Sequence, residues 1–158
     1  MRIYRRSAWT LLILLLPLLA LKCKKDDIIK AKQFEVTVRV TGENLTGLGA
    51  EMQVNSRLDA LNLSAGPSLT YAYATSVSQT YVLGTFELQD DVTAAVAFKN
   101  VTCSSALQPA SNSKLKVELF ANGLLVNVVE LTPTSQGDSF ACAPYWADTS
   151  ASNSDDWD

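Results

Sequence analysis

The sequence contains no histidine, and its 158 residues include only three cysteines, five prolines and seven glycines. The absence of histidine excludes a Ser-His-Asp triad, a Cys-His dyad and any histidine-ligated metal site. Charged residues make up only 18% of the chain, and its length fits one domain rather than two. The sequence has no Gly-rich phosphate loop, no Gly-x-Ser-x-Gly motif and no internal repeat. It therefore predicts no cofactor and points to no enzymatic activity.

The one long apolar run lies near the N-terminus. Arg2, Arg5 and Arg6 precede residues 11–21, an apolar stretch of eleven residues with the sequence LLILLLPLLAL. A positive segment followed by a short apolar stretch is typical of an export signal, whereas a membrane-spanning helix needs roughly twenty apolar residues. We predict a signal peptide over 1–22, with an uncleaved membrane anchor as the alternative.

A cysteine closes the apolar run and begins a charged stretch. The residues CKKDD (23–27) resemble the start of a mature bacterial lipoprotein, in particular the surface lipoproteins of Bacteroidota. The resemblance implies that the thiol of Cys23 is acylated and that the exported protein is held at the outer membrane or cell surface by this lipid. Lys22 precedes the cysteine, where that family prefers a small residue. Residues 23–33 would then be the lipidated anchor and tether; a free cysteine beside the membrane is the alternative.

Removal of residues 1–22 makes the protein strongly acidic. Four of the 13 basic residues and none of the 16 acidic residues lie in that segment, so nine basic residues remain and the net charge changes from −3 to −7. Because a nucleic-acid partner requires a basic face, we predict no nucleic-acid binding. The same acidity disfavours electrostatic attachment to an anionic membrane, so the lipid on Cys23 would carry the anchoring.

Short β-type segments separated by turn residues make up most of the remaining chain. Residues 34–41 (FEVTVRVT) alternate apolar and polar side chains, as a half-buried strand does. Gly66-Pro67 is a strand breaker and predicts a turn, and Gly84 predicts either a β-bulge or a close approach to the backbone. Further candidate strands lie at 51–56, 69–75, 79–88, 92–103 (interrupted near Lys99-Asn100) and 138–143.

The strongest local signal is the Asn122-Gly123 dipeptide, because both central residues of a type I′ hairpin turn need positive φ. It predicts a hairpin over 114–131. A two-residue loop would pair Ala121 with Leu124, Leu119 with Val126 and Val117 with Val128, all on one apolar face.

About seven short strands without a long amphipathic helix predict an all-β fold. We expect an immunoglobulin-like antiparallel β-sandwich over 34–143, with a small β-barrel as the alternative. Residues 38–42 (VRVTG), 117–123 (VELFANG) and 140–142 (FAC) also resemble small, uncharacterised exported β-sandwich proteins. The segment 144–158 is acidic and has few aliphatic residues, so it is predicted to be a disordered tail.

Cys103 and Cys142 are the two cysteines that remain if Cys23 is acylated. In an exported protein an even number of cysteines favours a disulfide. The two residues are 39 positions apart, a separation for which the chain-entropy model gives roughly 4 kcal/mol. Two free buried thiols are one alternative. A redox role is another, although the chain has no Cys-x-x-Cys motif.

Acidic pairs are the candidate catalytic or metal-binding groups. Asp90 and Asp91, together with Glu87, could serve a glycoside hydrolase if they converged across a cleft. Adjacent acids in turns are more often solvated, and no calcium-loop motif is present, so we predict no catalytic residue and no metal.

Aromatic residues are the candidate binding groups. Six of them could form a sugar- or partner-binding platform or could instead fill the core: Tyr71, Tyr73, Tyr81, Phe86, Phe98 and Phe120. Tyr145, Trp146 and Trp157 lie in the polar segment near the C-terminus, where no core would explain them, and they are candidate partner-binding residues. The alternative is that Tyr145-Trp146 caps the edge of the sandwich after Cys142.

These observations favour a non-enzymatic, lipid-anchored protein of the outer membrane or cell surface that acts as a binding or structural accessory. Its expected partners are the membrane, through lipid on Cys23, and an envelope protein or glycan. One alternative is a hydrolase or inhibitor domain that acts on envelope glycans. The other is a subunit of a surface assembly that exchanges a β-strand, which would require an exposed edge strand.

Overall fold

The computed structural model describes residues 32–59, 64–102, 105–134 and 145–152; of the last range it describes the side chains of Asp148, Thr149 and Ala151. The predicted signal peptide, the Cys23 anchor, the cysteine pair and the strand expected at 138–143 lie outside the described residues.

Eight antiparallel strands form two four-stranded sheets among the described residues. In chain order they are β1 (Gln33–Glu43), β2 (Ala50–Leu58), β3 (Ser64–Tyr73), β4 (Val77–Glu87), β5 (Asp91–Phe98), β6 (Lys114–Ala121), β7 (Leu124–Leu131) and β8 (Tyr145–Ser152). One sheet has the order β4-β1-β6-β7 and the other β3-β2-β5-β8. Both sheets are open rather than closed, so the predicted β-sandwich is confirmed, with eight strands instead of about seven.

Alternation of apolar and polar residues explains how the strands share one core. In β1 the side chains of Val36, Val38 and Val40 are fully buried, whereas Glu35 and Arg39 are exposed. The inner faces of both sheets meet in a single apolar cluster, whose largest fully buried members are Phe34, Phe86, Phe98, Leu45, Met52, Leu115, Leu119 and Leu131. Strands β1 and β2 lie in different sheets, so the chain crosses from one sheet to the other after its first strand.

The predicted hairpin at Asn122-Gly123 is confirmed at its tip. Both residues have positive φ, 51° and 80°, as a type I′ turn requires. Strands β6 and β7 flank the turn, and Ala121 lies opposite Leu124 as predicted.

Beyond the tip the predicted pairing is wrong. Leu119 lies opposite Asn127 instead of Val126, and Val117 lies opposite Val129 instead of Val128. Val126 is therefore the extra residue of a β-bulge. Because strand side chains alternate between faces, one inserted residue moves every later side chain of β7 to the face opposite the predicted one.

Two further local predictions had opposite outcomes. The bulge at Gly84 is confirmed, since the pairing of β1 with β4 shifts beside it and its φ is 135°. The turn predicted at Gly66-Pro67 is wrong, because both residues lie within β3. This strand is at the edge of its sheet, where a proline without an N–H is tolerated. A register shift occurs opposite these residues, and the Ser56 hydroxyl donates a hydrogen bond to the Pro67 carbonyl at 2.6 Å.

The prediction of a disordered tail over 144–158 is wrong for residues 145–152, which form β8. This strand pairs with β5 from Tyr145 opposite Phe98 to Ser152 opposite Asp91, and Ala151 is fully buried. A strand added to an existing sheet gains backbone hydrogen bonds and needs few large apolar side chains. Composition alone therefore underestimated the order of this segment. Residues 153–158 lie outside the described residues.

Candidate functional site

Exposed apolar side chains are concentrated on the β4-β1-β6-β7 sheet. Of the six large hydrophobic residues that are exposed among the described residues, four belong to this sheet: Val82, Leu124, Leu125 and Val128. Valine and leucine scattered singly on a surface need no explanation, but a group on one face is typical of an interaction site.

Cross-strand pairing places three of these residues, Val82, Leu125 and Val128, on the outer face of the sheet. Thr37, in the middle strand β1, lies between Val82 of β4 and Phe120 of β6, and Phe120 in turn lies opposite Leu125 of β7. Three strand spacings separate the ends of this row, or about 14 Å. Val128 lies one row further along, opposite Glu118. We call the four apolar members, Val82, Phe120, Leu125 and Val128, the outer patch.

An ion-pair cluster lies at the centre of the same face. Arg39 donates from Nε to Glu118 Oε2 at 2.7 Å, and Lys116 Nζ lies 2.8 Å from the other carboxylate oxygen. The Arg39 guanidinium also lies 4.9 Å from the centroid of the Phe120 ring, within cation–π distance. Only 8% of the Glu118 side chain is exposed, although it faces outward, because the two long basic side chains cover it.

The cluster shifts the pKa values of its members. The hydrogen bond from Arg39 is the main reason why the pKa of Glu118 lies below its ordinary value; Lys116 lowers it further, while desolvation of the carboxylate opposes both. The same hydrogen bond raises the pKa of Arg39. The centre of the face is thus a fixed charge cluster with apolar residues around it.

The tip of the β6–β7 hairpin lies at the end of the sandwich where β1 begins. The Asn122 N–H donates to the Glu35 carbonyl at 2.9 Å, and the Glu35 N–H donates to Asn122 Oδ1 at 2.9 Å. Lys32, one residue before β1, places its Nζ 5.3 Å from the centroid of the Phe34 ring. The hairpin tip and the start of the described domain are therefore neighbours.

Three of the six aromatic residues predicted as a platform come together where β3 and β4 face each other across the two sheets. The rings of Tyr71 and Tyr81 stack at 4.5 Å between centroids and 16° between planes. The Tyr73 hydroxyl lies 3.3 Å from that of Tyr81, which also donates to Gln79. Burial is the largest of the effects that raise the pKa of Tyr73. Stacking covers one face of each ring in the pair, so these tyrosines mainly close the side of the sandwich.

The other three aromatic residues do not join this cluster. Phe86 and Phe98 are fully buried in the core, and Phe120 lies on the outer face below Arg39. The six aromatic residues thus do not form a single platform.

The acidic residues considered for catalysis lie around a turn. The Asp90 carboxylate is buried and accepts two backbone hydrogen bonds of 2.7 Å, from the N–H of Asp59 and that of Glu87. These bonds hold the turn between β4 and β5 to the end of β2, which favours a structural role for Asp90. Within the described ranges, no three acidic or cysteine side chains are grouped so that they could hold a metal ion.

The residues that the sequence predicted as sites are described only in part. Tyr145 and Trp146 lie in β8, where their backbones pair with Phe98 and Ala97; their side chains lie outside the description. Trp157, Cys23 and the cysteine pair lie outside the described residues altogether.

The outer patch and the ion-pair cluster were missed by sequence reasoning. Arg39 and Glu118 are 79 positions apart, and only the pairing of β1 with β6 brings them together. One signal was present in the sequence: the segment 124–131 (LLVNVVEL) has apolar residues at both alternating sets of positions, so some of them had to face outward.

Comparison with known proteins gives no relative: no protein family, curated protein or solved structure matches this chain. In the part of the chain that the structure describes, no helix is long and apolar enough to cross a membrane.

Proposed function

We propose that this protein is a non-enzymatic, lipid-anchored component of the cell envelope that acts as a binding or structural accessory at the outer membrane or cell surface. The anchor rests on the sequence, namely the apolar run that ends at Cys23 and the CKKDD stretch that begins there. The binding role rests on one structural observation, the outer patch with the Arg39 and Glu118 ion pair at its centre.

The chemistry of this face fits recognition of an envelope partner. Apolar side chains around a partly exposed arginine are a common composition of protein interfaces. Arg39 uses one donor on Glu118 and leaves about half of its side chain exposed, so its remaining donors can reach a carboxylate or a hydroxyl on a partner.

We also propose a Cys103–Cys142 disulfide. The pairing of Phe98 with Tyr145 supports it. Cys103 follows Phe98 by five residues and Cys142 precedes Tyr145 by three, and Phe98 and Tyr145 lie at the same end of the β5–β8 ladder. A bridge there would hold the last strand to the sheet.

The intact mass of the protein extracted from membranes of its native host tests both proposals. We expect a chain that starts at Cys23 and carries acyl groups, and a gain of two hydrogens on reduction. A Cys23→Ser variant should appear in the soluble fraction. A mass without lipid would refute the anchor, and an unchanged mass on reduction would refute the bridge.

A second candidate function, strand exchange with another subunit, is favoured by the edge strands. β3 and β4 are ten and eleven residues long, and each has only one hydrogen-bonded neighbour among the described strands. Long unpaired edges accept further strands. Size-exclusion chromatography over a dilution series should then show concentration-dependent association, and a constant elution volume would exclude it.

A further inference from the structure

We infer that the end of the β6–β7 hairpin contacts the lipid surface in which the Cys23 anchor sits. This inference rests on the proposed lipid anchor. The contact would place the side chains of Leu124 and Leu125 at the boundary between phospholipid headgroups and acyl chains.

The position of the hairpin is the first reason. Asn122 and Glu35 exchange two backbone-directed hydrogen bonds, so the tip lies at the end of the sandwich where β1 begins. Cys23 and Gln33 are ten positions apart. Ten extended residues span at most about 36 Å, so the start of β1 lies within this distance of the anchored cysteine. A weak contact is strengthened when a tether holds the two surfaces together.

The composition of the hairpin end is the second reason. No charged residue occurs between Glu118 and Glu130, so the eleven residues LFANGLLVNVV can approach a lipid boundary without the desolvation of a charge. Leu124 is 69% exposed and Leu125 is 55% exposed. As neighbours in a strand they point to opposite faces, so apolar side chains project on both sides of the tip.

The opposite end of the sandwich carries two ion pairs. There Lys99 forms an ion pair of 2.5 Å with Glu51, and Lys114 forms one of 3.1 Å with Glu43. Contact with a lipid boundary would require the desolvation of these charged side chains or the separation of the ion pairs. Charged side chains such as Glu35 and Glu87 also lie at the hairpin end, but the hairpin itself is uncharged, carries two exposed leucines and lies at the end to which the tether is attached. A lipid boundary also requires no pocket, and binding to it increases with the apolar area that is buried.

Fluorescence quenching by brominated lipid tests the contact. The lipidated, full-length mature protein from its native host is placed in phosphatidylcholine vesicles, with and without bromine on the acyl chains. Trp is introduced as Leu124→Trp, and the matched control is Leu107→Trp. Leu107 is also exposed but lies near Gly47, in the turn at the opposite end. Signals are compared with those of the unsubstituted protein, which provides the background from its own tryptophans.

We expect bromine to lower the added fluorescence at position 124 at least about twofold and to leave that at position 107 nearly unchanged. Hydrogen exchange requires no substitution in the hairpin: amides of 122–126 should exchange several-fold more slowly in the lipidated protein on vesicles than in the Cys23→Ser variant in detergent-free solution, and those of 105–113 should not.

Three results would overturn the inference in distinguishable ways. An acylated mass with equal quenching at both positions refutes the hairpin contact and leaves the anchor standing. An unacylated mass refutes the anchor and the contact together. Burial of Trp at position 124 that depends on protein concentration, without quenching by bromine, would assign the hairpin end to a second copy of the chain instead of lipid.

Discussion

Replacement of Glu118 by Gln should destabilise the protein by about 1 kcal/mol at neutral pH. The carboxylate makes two ion pairs, at 2.7 and 2.8 Å, with Arg39 and Lys116. Exposed pairs contribute roughly 0.2 to 1 kcal/mol each. Both basic side chains are partly exposed, so we apply this range to each pair. The two pairs together then contribute about 0.4 to 2 kcal/mol, and we expect a loss near the middle of that summed range. The amide keeps one acceptor for Arg39, which prevents a larger loss.

The pH dependence is the sharper part of this prediction. The folded-state pKa of Glu118 is lowered, chiefly by the hydrogen bond from Arg39, so its contribution is present above the ordinary pKa of a glutamate. The contribution is lost as the pH falls through the folded-state value. The difference in unfolding free energy between the unsubstituted protein and Glu118→Gln should therefore be largest near neutral pH and decrease as the pH falls below the ordinary pKa of a glutamate.

Urea unfolding at several pH values measures this difference. With a slope of about 2 kcal/mol/M, a loss of about 1 kcal/mol moves the midpoint by about 0.5 M at pH 7. Glu35→Gln is the matched control, because Glu35 is an exposed glutamate on the same face of β1 as Arg39. Its effect should stay within about 0.5 kcal/mol. Equal effects of the two substitutions at pH 7, or a difference that grows on acidification, would refute the reasoning.

Three further predictions concern stability. Gly42→Ala should cost about 1 to 3 kcal/mol and lower the melting temperature, because a Cβ there would lie 2.7 Å from Leu45 Cδ1 in the packed core; an unchanged melting temperature would contradict this. Asp90→Asn should cost about 1 to 3 kcal/mol in urea unfolding, because the two backbone N–H groups bind different carboxylate oxygens and the amide places an NH2 group opposite one of them; a neutral result would show that one acceptor suffices. Cys103→Ser and Cys142→Ser should each lower the free energy of unfolding by roughly 4 kcal/mol under oxidising conditions. Under reducing conditions each variant should be as stable as the unsubstituted protein. Unequal losses for the two variants would argue against a shared bridge.

The sequence was sufficient for the parts of the fold that depend on local chemistry. β1 was predictable because one of its faces is buried and the other solvated, so its residues alternate in type. The hairpin tip was predictable because only a few residues accept positive φ at two successive positions, and Asn122-Gly123 is the favoured pair.

The features that depend on a partner strand were not predictable. β7 can bury apolar side chains in either register, so its own pattern could not show that Val126 forms a bulge. β8 has few large apolar residues and is ordered by pairing with β5. The contact of Arg39 with Glu118 likewise requires knowledge that β1 and β6 are neighbours.

The comparison of β1 with β7 supports an interaction role for the outer face. Both strands bury only one face, yet β1 places Thr37 and Arg39 on its outer face, whereas β7 places Leu125 and Val128 there. Folding requires apolar residues only on the buried face, so the outward pair on β7 has no role in the core. Replacement of both by Thr should therefore change the free energy of unfolding by no more than about 0.5 kcal/mol, while it weakens any contact made by the outer patch. A loss of several kcal/mol in urea unfolding would show instead that these side chains serve the fold.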